Sequence, residues 1–148
     1  MRFVRIVVAL FALTGTVGLL RADLKSVRAE PDLGKRSKLA LDNANAALKA
    51  AREAYNNDHT NSLAAAANEI VESVDLASES LKATGKNPRK SPKWFKQAEI
   101  ATRDLLKKIE NLQHDMNFEE RSVLDKAKAR TQEVHDDLLL GLMEGKHQ

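Results

Sequence analysis

Residues 62–81 read SLAAAANEIVESVDLASESL, and the fold turns on whether this run is a helix or a strand. Leu63, Ala67, Ile70, Val74, Ala77 and Leu81 step by 4, 3, 4, 3 and 4 residues, which places their side chains along one stripe of a helix. A half-buried strand would alternate apolar and polar residues at period 2, and no window of the chain does so. The four alanines Ala64–Ala67 cover every side of one turn with small side chains. Alanine is the best helix former, and Ala64 and Ala65, off the stripe, would also let a second helix approach closely.

Moving outward, the same spacing recurs three times. Leu41, Ala44, Leu48, Ala51 and Tyr55 precede it; Ala98, Ala101, Leu105, Ile109, Leu112 and Met116 follow; Leu124, Ala127, Thr131, Val134, Leu138 and Leu142 close the series. Each stripe has a period near 3.5 residues, as in coiled-coil seams and antiparallel bundles. Turn and cap formers separate them at Asn56 to Asn61, at Gly85 to Pro92 and at Asp115 to Asn117, the last with Asn117 and Glu120 spaced as a capping box. Helices are therefore expected over about 36–56, 61–84, 92–114 and 118–144. Connections this short make consecutive helices antiparallel neighbours, so the expected fold is all-α, an up-down-up-down four-helix bundle spanning 36–146. Leu48, Ile70, Val74, Leu105, Ile109 and Leu138 are its expected core.

The connection TGKNPRKSPKWFKQ, residues 84–97, gathers two prolines, a glycine and the only tryptophan. Gly85 suits a left-handed helix end, Pro88 bars continuation, and Ser91 with Pro92 reads as an N-cap followed by proline at the first helical position. Trp94 and Phe95 then fall in a first turn, where they can plug the open end of the core. Lys82, Lys86, Arg89, Lys90, Lys93 and Lys96 have no acid among them, and Lys86, Arg89, Lys90 and Lys93 are the candidate basic surface patch. The preceding stretch is the opposite: residues 53–81 hold Glu53, Asp58, Glu69, Glu72, Asp75 and Glu79 and no Lys or Arg. Loose pairing of this acidic face with neighbours such as Lys107 and Lys108 is the expectation.

The beginning decides how the net charge is read. MRFVRIVVALFALTGTVGLLRA, residues 1–22, carries Arg2 and Arg5 ahead of an uncharged run from Ile6 to Leu20. This is the pattern of a bacterial-type export signal, cleaved after Ala22 or Ala29, with a retained anchor as the other outcome. Residues 23–35, with Pro31 and Gly34, are then expected to be a flexible tether, and the location periplasmic or secreted. The whole chain has a formal net charge of +3, but residues 1–22 hold Arg2, Arg5 and Arg21 and no acid, so the remainder is neutral. That argues against nucleic acid as a partner.

The absence of cysteine removes disulfides, a lipid-modified cysteine, thiol chemistry and covalent haem attachment. Size, compartment and topology resemble the b-type cytochrome bundles in architecture only. That family pairs a Met on the first helix with a His on the last; here the first helix has no Met, and His135 lies off the stripe as a boundary residue. No cofactor is expected. No glycine-rich phosphate loop or nucleophile elbow is present, and Glu69 with Glu72 reads as a solvated helix face, so no enzyme is expected. Asp58, His59, His114 and Asp115 would meet at one end of the bundle, a donor set suited to zinc or copper. The expected function is a non-catalytic interaction or structural module of the cell envelope, bound to another envelope protein, a second copy or a membrane surface. The alternative is a small-ligand or metal carrier using the Asp58/His59/His114/Asp115 end.

Overall fold

A computed structural model describes residues 23–145, all helix and turn, with no strand among them. The export signal expected over 1–22 lies outside the described residues. A short helix, α1 (Leu24–Arg28), leads into four long ones: α2 (Leu33–Asn56), α3 (Thr60–Ala83), α4 (Lys93–Asp115) and α5 (Asp125–Glu144). These four pack together into a helical bundle.

All four stripes face inward. Leu48, Ile70, Val74, Leu105, Ile109 and Leu138, the expected core, are all buried, and only Tyr55, Ala101 and Leu142 of the stripe residues are partly exposed. α2 and α3 form the most intimate pair. On α2 a second buried row of Ala40, Asn43, Ala47 and Ala54 runs beside the stripe, and on α3 Ala66, Ser73, Leu76, Ser78 and Ser80 are buried as well. Small side chains on both helices permit the close approach, and Asn43 ties it by donating to Ser73 Oγ at 2.9 Å and Glu69 Oε1 at 3.2 Å. Other buried hydroxyls turn back on their own helices: Ser80 to the Leu76 carbonyl, Thr102 to Ala98 and Thr131 to Ala127.

Cross-helix pairs reveal how the helices are ordered. Within α4 and α5, Glu110 meets Lys128 at 3.3 Å while Glu99 meets His135 at 3.8 Å, so numbers fall on one helix as they rise on the other. Between α2 and α4 they rise together: Asn45 accepts from Lys108 at 3.2 Å, and Arg52 pairs with Asp115 at 3.0 Å. The same holds for α3 and α5, where Asp75 pairs with Arg130 and Lys82 with Asp137. The bundle is thus two hairpins, α2–α3 and α4–α5, laid side by side with like-directed helices in contact. α3 and α4 touch only marginally. The pairs α2–α3 and α4–α5 are the neighbours expected of consecutive helices; α3 and α4 are not, and chain length supplies the reason. Neighbouring axes lie roughly 8–10 Å apart, a diagonal about 13 Å, and the nine-residue connection 84–92 reaches that easily.

Residues 23–35 are a second correction. They are helical for most of their length: the Asp23 carboxylate accepts from Lys25 N at 3.2 Å, and Val27 of α1 is buried. Asp32 then caps α2, accepting from Lys35 N at 2.8 Å, while Arg36 Nε donates to the Glu30 carbonyl at 2.7 Å. Gly34 is not punctuation for a tether. It lies in the first turn of α2 because a Cβ there would stand 2.3 Å from Trp94 Nε1. Gly34→Ala should therefore displace the ring, cost about 1–3 kcal/mol and shift the emission of the chain's one tryptophan to longer wavelength. Unchanged stability and emission would show that the ring does not rest there.

The last helix begins later than expected, at Asp125 rather than 118. The capping-box residues do pair, with Asn117 Oδ1 accepting from Glu120 N at 2.9 Å. They cap a turn that passes through a 3-10 segment, Arg121–Leu124, before α5 starts. Tyr55 Oη accepts from Asn117 N at 3.0 Å, fastening this connection to the end of α2.

Candidate functional site

Three surface regions hold the chain's unusual polar groups. The first is the basic connection from α3 to α4. Gly85 takes φ 65°, the left-handed conformation expected of it, and Thr84 Oγ1 donates to the Leu81 carbonyl at 2.6 Å. Asn87 is the hub of the loop. Its Oδ1 accepts from Arg89 N at 2.9 Å and Lys90 N at 3.3 Å, and its Nδ2 donates to the Gly145 carbonyl at 3.0 Å, where α5 ends in a second left-handed glycine. Pro88 is buried beneath. Pro92 has helical dihedrals at the start of α4, but no side chain caps that terminus, so the capping role expected of Ser91 is not fulfilled.

The aromatic pair divides its work. Phe95 is 1% exposed and belongs to the core, whereas Trp94 lies half-buried across Gly34 with Lys93 Nζ 4.8 Å above its ring. Lys86, Arg89, Lys90 and Lys93 are all exposed, and none makes an ion pair among the described residues. Lys82 does, with Asp137. The loop is therefore pinned while its charges point outward.

The second region is the opposite end, with the expected donor set. Asp58 has φ 55°, its N–H donates to the Tyr55 carbonyl at 3.2 Å, and His59 N–H donates to Ala54 at 2.9 Å. This is the two-bond closure of a Schellman motif, with Asp58 as its left-handed residue. Both residues thus terminate α2 and line only a shallow open depression. Asp115 pairs with Arg52, and His114 is exposed. Among the described residues no three His, Cys, Asp or Glu side chains gather as metal ligands. The histidine on the last helix is elsewhere: His135 Nδ1 lies 3.4 Å from Thr102 Oγ1 and 3.8 Å from Glu99 Oε1, in the seam between α4 and α5.

Asp75 of α3 finds a different partner from those expected. Asp75 meets Arg130 of α5, and hydrogen bonds from that guanidinium to Asp75 and Glu133 raise its pKa above the ordinary value. Lys108 instead reaches across to Asn45 of α2. It belongs to the third region, a groove of about 330 Å³ between α2 and α4 lined by Asn45, Leu48, Lys49, Arg52, Lys108 and Asn111. Sequence reasoning missed this groove. Its two walls are some 60 residues apart, and they meet only because the α3–α4 connection crosses the diagonal.

The chain matches no family model, and no curated protein or solved structure matches it. Among the described residues no helix is long and apolar enough to cross a membrane.

Proposed function

We propose that this chain is an exported, non-catalytic interaction module of the cell envelope, a four-helix bundle that follows a cleavable signal and engages an anionic partner through its basic end. The observation that carries the reading is the pinned loop: Asn87 locks residues 87–91 against the end of α5, so Lys86, Arg89 and Lys90 are presented at little cost in loop entropy. The start of α2 lies at this same end, as the Gly34–Trp94 contact requires. The partner is an acidic face of another envelope protein, a second copy of this chain through its acidic α3, or an anionic membrane surface. Near such a surface each basic side chain contributes about 1 kcal/mol of attraction.

Charge reversal decides between this reading and a plain turn. The variant Lys86→Glu, Arg89→Glu, Lys90→Glu, Lys93→Glu should keep the helical circular-dichroism spectrum. It should lose, by at least about tenfold, pelleting with anionic vesicles or self-association in sedimentation, with the wild-type interaction weakening as salt rises. Equal behaviour of variant and wild type in both assays would mean that the stretch is a connection and nothing more.

A further inference from the structure

We infer that the groove between α2 and α4 binds a small organic oxyanion, a compact molecule bearing carboxylate or phosphate groups. Three cations converge on it from two helices: Lys49 and Arg52 from α2, Lys108 from α4. None of the six lining residues is acidic. Asn45, Leu48, Lys49 and Arg52 recur at helical spacing on one face, and Lys108 and Asn111 do so on the facing helix, so the cluster is built from rigid elements rather than loops.

Each group is held in a usable state. Asp115 takes Arg52 Nη1 at 3.0 Å, which orients the guanidinium and leaves its other N–H groups available. Asn45 Oδ1 accepts one proton of the Lys108 ammonium, and that ammonium has two more to give. Asn45 itself is fixed by its Nδ2 donating to the Leu41 carbonyl at 3.1 Å. Lys49 makes no ion pair among the described residues. Gathering three like charges around one groove is unfavourable without a counter-charge, and Asp115 supplies only one. An oxyanion supplies the rest, through charge-assisted hydrogen bonds that are about twice as strong as neutral ones.

The groove is open to solvent and small. Leu48, 6% exposed, puts an apolar surface beneath the cations, and a volume of about 330 Å³ is at the lower end of small-molecule sites. A body of a few carbons carrying two or three acidic groups fits that description, and so does the headgroup of an anionic phospholipid. The two sources share their chemistry. Neither depends on the basic end of the molecule, which lies at the other end of α4.

Proton–nitrogen correlation spectra of the folded chain, titrated with citrate, with glycerol phosphate and with phosphatidylglycerol vesicles, test the inference. The expected result is saturable shifts in residues 45–52 and 108–111, confined to them when the anion is dissolved citrate or glycerol phosphate. A response to the dissolved anions assigns a soluble ligand, and a response to vesicles alone assigns the headgroup. The double variant Lys49→Gln, Lys108→Gln should weaken binding by at least about tenfold, two charge-assisted bonds being lost. Lys25→Gln, Lys126→Gln, at exposed positions outside both the groove and the basic loop, should leave it unchanged, which separates the groove from surface charge in general. Shifts that spread over lysines throughout the chain without saturating would overturn the inference. So would equal binding by the Lys49/Lys108 variant and wild type, or equal loss in both variants.

Discussion

Phe95→Ala is expected to lower the free energy of unfolding by about 3–5 kcal/mol, the range for deleting a large buried ring. The ring is 1% exposed and is among the largest fully buried side chains in the chain. It lies in the first turn of α4, where the diagonal connection delivers a helix into the bundle. A domain of this size has about 5–15 kcal/mol to lose, so the variant sits near the edge of folding. Phe95→Leu, which refills most of the volume, should recover more than half of the loss. Chemical denaturation of both variants is the measurement, and a cost below about 1 kcal/mol for the alanine would show that the ring is not part of the core.

Leu105→Ala should cost about 2–5 kcal/mol, from transfer of the lost carbons and from the cavity left behind. Leu105 is 0% exposed, midway along α4, with Thr102, Ile109 and Leu112 buried on the same helix. Ile100, on the same helix but 48% exposed, provides the comparison: Ile100→Ala should change stability by under about 0.5 kcal/mol. Similar costs at the two positions would contradict the assignment of faces on α4.

The four stripes were legible because a helix repeats its facing every 3.6 residues, and nothing beyond counting was needed to place Ile70 or Leu105 inside. Helix ends were legible where a backbone requirement left a residue signature, as Gly85 did with its left-handed φ. They were misread where one residue type serves two purposes. Gly34 looked like a flexible joint, yet it is glycine because a ring from 60 residues away occupies the space of its side chain. Asp58 and His59 stood out for their side chains, while it is their backbone N–H groups that close the end of α2. The order of the helices was the least legible feature. Both diagonal and side-by-side placement of α3 and α4 satisfy the same inward stripes, and only cross-helix pairs such as Arg52–Asp115 distinguish them. The anion groove is a product of that order, so it was invisible for the same reason.

Placing like-directed helices in contact also arranges the peptide dipoles of the bundle. Each helix carries the equivalent of roughly half a positive charge at its start and half a negative charge at its finish. In a ring of alternating directions these partial charges cancel around each end. Here α2 and α4 start side by side, and α3 and α5 finish side by side, so each end has one positive and one negative edge. The basic connection, running from the finish of α3 to the start of α4, crosses from the negative edge to the positive one. Lys82, in the last turn of α3, lies on that negative edge, where the unpaired backbone carbonyls favour a cation.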